Sequence, residues 1–93
     1  MENHEISTVG DLIEQKRRVK RISQDEMAFK CNITRKAMSN IETNKNLPSL
    51  TLFVSIAHAL DMDAYELLKE IEERGLLDNY LRKVENKEDK NSK

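Results

Sequence analysis

Arg35, Lys36, Ser39, Asn40 and Thr43 fall within about two and a half turns of one helix-compatible stretch. Read as a helix, that stretch puts Ala37, Met38 and Ile41 at i, i+1 and i+4 as an inward stripe and leaves the five polar side chains outward. Each of the five donates hydrogen bonds and none is acidic, whereas a solvated helix face ordinarily mixes acids with its bases. The chemistry open to such a face is recognition of base edges in the major groove of a duplex. An arginine reaches guanine O6 and N7 together and an asparagine reaches adenine N6 and N7, each pair discriminating by about 1–3 kcal/mol. N-terminal residues of an inserted helix are best placed for this. Arg35, Lys36 and Asn40 are therefore the foremost candidates for base contacts, with Ser39 next.

Other chemistry finds little support. There is no catalytic carboxylate pair, nucleophile with a base, or phosphate-cradling glycine loop, so the chain reads as a non-enzyme with no cofactor. His4 and His58 lie far apart without metal-ligand spacing, and no metal site is expected. The single Cys31 reads as a small core residue and agrees with a reducing compartment. No apolar run approaches a membrane span, and the N-terminus lacks the pattern of a signal peptide, so a cytoplasmic location is expected.

Net charge is −1, yet it is unevenly spread. Residues 1–15 carry four acids, and residues 16–45 carry nine bases against three acids. Residues 46–60 carry no formal charge, and the remainder is acidic again. A basic third suits a phosphate partner, because the local field steers association more than the total does. A merely solvated basic face is the alternative.

The elements needed to position these residues can be read from caps and periodicity. With 93 residues, two glycines and one proline, the chain has room for one all-helical domain. Residues 1–7 read as a flexible start, and Thr8 followed by Asp11 as the cap of a first helix over about 8–20, with Val9, Leu12, Ile13 and Val19 inward. Ser23 and Glu26 form the pattern of a capping box, opening a second helix over about 23–31 that buries Met27, Ala28 and Cys31. Asn32 suits a left-handed stop, Ile33 plugs the corner, and Thr34 caps the helix over about 34–43. Two helices so closely joined must cross steeply, as in a helix-turn-helix. Pro48 ends the following loop, and Ser49 caps a fourth helix over about 50–60 with Leu50, Phe53, Ile56, Ala57 and Leu60 inward. Asp63 and Glu66 open a fifth, burying Leu67, Leu68 and Ile71. The folded domain is placed at 8–74, an amphipathic sixth helix at 75–84, and a disordered tail at 85–93.

The sequence resembles the lambda repressor/Cro-like helix-turn-helix regulators of the XRE family, from about Val9 to Leu68. The resemblance rests on Ile22 to Ala28, Ile33-Thr34-Arg35, Ser39-Asn40-Ile41-Glu42, Pro48-Ser49-Leu50 and Ile56 to Leu60. It implies a five-helix domain whose second and third helices form the motif. It implies that Gln24 clamps a phosphate and braces the recognition helix, and that Arg17 and Glu42 form a structural salt bridge. It also implies that Thr34, Thr43, Lys45 and Asn46 touch the sugar–phosphate backbone. Arg21, Asn32, Asn44 and Asp61 stand where the family commonly has glycine, and Lys16 replaces a usual apolar residue.

The expected partner is a double-stranded DNA operator, bound by a homodimer because one small domain offers few contacts. Leu76, Leu77, Tyr80, Leu81 and Val84 are read as the dimer interface, the alternative being that this segment folds back on its own domain. The expected role is that of a transcriptional regulator, a repressor in the first instance. A competing reading uses the same fold as an antitoxin or adaptor that binds another protein, whose identity the sequence does not disclose.

Overall fold

The computed structural model describes residues 5–81 and, among them, five α-helices and no strand: α1 (Val9–Val19), α2 (Gln24–Lys30), α3 (Arg35–Glu42), α4 (Leu50–Ala59) and α5 (Ala64–Glu73). Polar side chains start four of them. Thr8, Ser23, Thr34 and Ser49 accept the N–H groups of Asp11, Glu26, Ala37 and Leu52 at 3.0–3.2 Å, satisfying donors that no helical carbonyl can reach. Asp11 returns the favour at α1 by accepting the Thr8 N–H at 3.1 Å. Among the described bonds Glu26 makes no such return, so the expected box at Ser23 is a simple cap. At α5, Glu66 Oε1 accepts the Asp63 N–H at 3.0 Å.

All five helices end alike. The chain turns through a left-handed residue, and the next N–H bonds the carbonyl five residues back: Ile22 to Arg17, Ile33 to Ala28, Lys45 to Asn40, Met62 to Ala57 and Leu76 to Ile71, at 2.8–3.2 Å. The left-handed residues are Arg21, Asn32, Asn44, Asp61 and Gly75, with φ of 58–71°. Four of these stops therefore lack glycine. Asn and Asp tolerate the conformation through local hydrogen bonding, while Arg21 has no such relief.

Leu12, Ile13, Met27, Met38, Ile56, Leu60, Leu67 and Ile71 are fully buried at the centre, with helix pairs α1–α3, α2–α3, α2–α4 and α4–α5 in contact around them. Three residues expected inward are not. Val19 is 71% exposed, Leu50 79% and Leu68 41%. Val19 is the last residue of α1 and Leu50 the first of α4, and Leu68 is rotated off the Leu67–Ile71 line.

The expected sixth helix is absent from the described residues. Gly75 closes α5, and residues 74–80 continue as turns whose bonds span three residues: Asp78 N–H to Gly75 O at 3.2 Å and Tyr80 N–H to Leu77 O at 2.9 Å. The left-handed Gly75 reverses the chain, so the apolar pattern serves docking rather than helix. Leu76 is buried in the domain's own core and Leu77 packs against it, whereas Tyr80 and Leu81 stay exposed. Leu76 is thus unavailable to a partner, which corrects that part of the dimer expectation. Val84 and the 85–93 tail lie outside the described residues, as do residues 1–4.

Candidate nucleic-acid interface

The position of α3 is set by its C-terminal end. A Cβ on Gly10 would run into the carbonyl oxygens of Ile41 and Glu42, so α1 lies against the last turn of α3 only because Gly10 has no side chain. Beside this contact Arg17 and Glu42 form a bidentate pair, Nε to Oε2 at 2.7 Å and Nη2 to Oε1 at 3.0 Å. Their side chains are 9% and 2% exposed. Arg17 Nη1 also donates to the Ile22 carbonyl at 2.8 Å. Hydrogen bonding to Glu42 pushes the Arg17 pKa up against the opposing effect of burial, so the guanidinium is held charged.

From this buried pair a chain of bonds runs to the surface. Gln24, the first residue of α2, donates from Nε2 to Glu42 Oε1 at 3.0 Å and accepts at Oε1 from Arg35 Nε at 3.4 Å. A carboxamide nitrogen carries two hydrogens, so Gln24 can brace α3 and still offer one to a phosphate. Arg35 Nε also stands 3.6 Å from Asp25 Oδ1, an acid on α2 that a reading of α3 alone does not place there. The first base-contact candidate is thus oriented through one side chain, Gln24, by an ion pair in the core.

On α3, Met38, Ile41 and Glu42 are buried, Ala37, Ser39 and Asn40 are half-buried, and Arg35, Lys36 and Thr43 are exposed. Arg35, Lys36, Ser39 and Asn40 share the open side, with Thr34 ahead of them and Lys45 and Asn46 behind, all three exposed. Thr34 spends its oxygen on the α3 cap, but its hydroxyl hydrogen remains free to donate. Thr43 differs. Its hydroxyl donates to the Ser39 carbonyl at 2.8 Å, so contact with phosphate would require it to rotate.

The basic third is less free than its sequence suggests. Lys16 pairs with Glu70 at 2.8 Å, Arg18 with Glu14 at 2.8 Å and Lys20 with Asp61 at 3.2 Å, while Arg17 is committed to Glu42. Lys16, unusual at its position, thereby ties α1 to α5. Lys36 and Lys45 make no ion pair among the described residues, and these two belong to the α3 face and the turn after it.

A helix-turn-helix family model matches residues 13–67, more than half of the chain. The chain belongs to the XRE-type helix-turn-helix family. Among solved structures, the biofilm master regulator SinR in complex with DNA is 31% identical, covering 66% of this chain and 98% of that one with a TM-score of 0.60. The restriction-modification controller C.AhdI of Aeromonas hydrophila is 28% identical, over 66% of this chain and 92% of its own, at a TM-score of 0.62. The DNA-binding domain of the P22 C2 repressor matches in fold at 20% identity and a TM-score of 0.66, over 73% and 90%. No curated protein matches the sequence. The all-α fold is that of lambda- and 434-repressor-like DNA-binding domains, and this XRE-type chain is a DNA-binding regulator of transcription.

A second exposed feature of the XRE-type domain is apolar. Leu47, Leu50, Phe53, Tyr65, Leu68 and Leu77 help to line an open groove of about 510 Å³ between the start of α4, α5 and the C-terminal turns, with no charged residue in its lining. The sequence reading missed it because it treated Leu50 and Leu68 as core. Gly10 was missed as well, although a glycine inside a helix is itself a signal of close approach. No helix among the described residues is long and apolar enough to cross a membrane.

Proposed function

We propose that this regulator binds a palindromic operator in the cytoplasm as a homodimer and represses transcription, with α3 in the major groove. Arg35, Lys36, Asn40 and Ser39 read bases in this proposal, and Gln24, Thr34, Lys45 and Asn46 hold phosphates, joined by Thr43 once its hydroxyl turns. The observation that carries it is an acid-free row of donors on α3, open to solvent and bonded through Gln24 to the buried Arg17–Glu42 pair.

The second copy is proposed to sit on the apolar groove rather than on Leu76. Two identical chains carry identical charges, so a face without charge meets its copy without repulsion. Residues 46–60 supply such a face, and Leu50 and Tyr65, 79% and 70% exposed, project from its rim. Tyr80 and Leu81 remain available to extend it. Such pairing would present two recognition helices to half-sites about 34 Å apart.

Selection from random duplex DNA, read by sequencing, tests the proposal: it should return a symmetric site. Arg35→Ala should then cost about 1–3 kcal/mol of binding and flatten preference at one position of each half-site. Lys45→Ala should weaken selected and random DNA alike and reduce the steepness of the salt dependence by about one unit. No enrichment from the selection, or equal behaviour of the two variants on both DNAs, would overturn the assignment.

A further inference from the structure

The helix-turn-helix match ends at residue 67, yet the chain stays in contact with the domain as far as Tyr80. After Gly75 reverses its direction, Leu76 enters the core, and two further turns bring Tyr80 back to the far end of α3. There the Tyr80 hydroxyl accepts from Asn44 Nδ2 at 3.0 Å, across 36 residues of sequence.

Asn44 is a pivotal residue. It ends α3 with a φ of 63°, and its backbone N–H bonds the Ile41 carbonyl at 3.0 Å. The next two N–H groups, of Lys45 and Asn46, both turn back to the Asn40 carbonyl at 2.8 and 3.4 Å. The direction taken by Lys45 and Asn46 therefore follows from how Asn44 is held. Its amide has one side-chain partner among the described residues, Tyr80, and its Oδ1 is buried with no partner. Losing that bond would leave the half-buried Asn44 side chain, whose Oδ1 is already without a partner, with no protein hydrogen bond to hold it, and the left-handed turn would be free to shift.

We infer that Tyr80 is a positioning residue for DNA binding. Its hydroxyl holds the Asn44 turn so that Lys45 and Asn46 meet the phosphate backbone, which makes residues 74–81 part of the DNA-binding machinery rather than an appendage. The inference rests on the proposed phosphate contacts of Lys45 and Asn46.

Tyr80→Phe tests it by removing the hydroxyl and keeping the ring. The wild type and the variant are titrated, over a series of salt concentrations, onto a duplex carrying the selected site and onto a scrambled duplex of equal composition. The expected result is an equal loss on both duplexes, about fivefold, as for one hydrogen bond. The slope of log K against log salt should become shallower by about one. Base preference in a repeated selection should stay unchanged, and the thermal transition should stay cooperative. In an Asn44→Gly background, where the amide is gone, Tyr80→Phe should change nothing further. Wild-type affinity and salt slope in Tyr80→Phe would overturn the inference, as would an equally large loss in the Asn44→Gly background. A wild-type protein that bound neither duplex would instead sink the DNA reading beneath it, and the control titration separates the two failures.

Discussion

Lys45 and Asn46 stand in the turn that follows the polar face of α3, while Leu47 and Pro48, the next two residues along the chain, line the apolar groove. The two surfaces share one loop and little else. The polar face is held by a few directional bonds that reach back to a buried ion pair, so its geometry depends on single atoms. The groove is shaped by the packing of α4 on α5 and depends on area, which is lost in increments. Recognition of a patterned polymer needs the first kind of surface, and self-association tolerates the second.

Four substitutions probe this contrast. Glu42→Ala removes one partner of a desolvated pair and leaves Arg17 charged and buried, which should cost about 3–5 kcal/mol of stability in a chemical or thermal melt. It should also release Gln24 and Arg35, so DNA binding falls even at temperatures where the protein is folded. Gly10→Ala should cost about 1–3 kcal/mol, because the new methyl group meets backbone carbonyls that cannot rotate away. A gain in melting temperature from the better helix former would contradict the close α1–α3 approach. On the apolar side, Leu50→Lys and Tyr65→Lys should each weaken dimerisation by about 1–2 kcal/mol in sedimentation equilibrium, with the monomer fold intact. A wild-type protein that sediments as a monomer at all concentrations would assign the groove to a different protein.

The smallest effect concerns the α1–α5 tie. Hydrogen bonding to Lys16 lowers the Glu70 pKa against the opposing effect of partial burial, and Arg74 adds to the lowering. A depressed carboxylate pKa contributes stability that is present above the ordinary value of about 4.3 and lost as pH falls through the folded value. Glu70→Gln should flatten the acid limb of a melting-temperature profile by less than about 1 kcal/mol, since the pair is partly solvated.

Much of the domain was legible before any coordinates. Thr8, Ser23, Thr34 and Ser49 each cap a helix as their types suggest, and Asn32 stops α2 through the left-handed conformation its chemistry permits. Capping and turning are local, so nearby residues suffice to specify them. Leu50 and Val19 show the limit, because periodicity identifies a side of a helix but not how far the neighbouring helix extends along it. The expected sixth helix is absent from the described residues for a related reason: an apolar pattern after a glycine fits an added helix and a docked turn equally well.

The linear chain by itself determined five helices, their order, and the row of donors on the third, because helical period, capping and side-chain type act over a few residues. Tertiary structure alone decided which charges remain free. Lys16, Arg17, Arg18 and Lys20 all count as bases in the sequence, yet each meets an acid, while Arg21, Lys30, Lys36 and Lys45 make no ion pair among the described residues, and of these Lys36 and Lys45 belong to the α3 face and the turn after it. Tertiary structure likewise placed Tyr80 on Asn44 and gathered Leu50, Tyr65 and Leu77 into one groove. Coulomb and hydrogen-bond energies depend on distance through space, and three of those four acids were made neighbours of their bases by the packing of separate helices, not by sequence proximity.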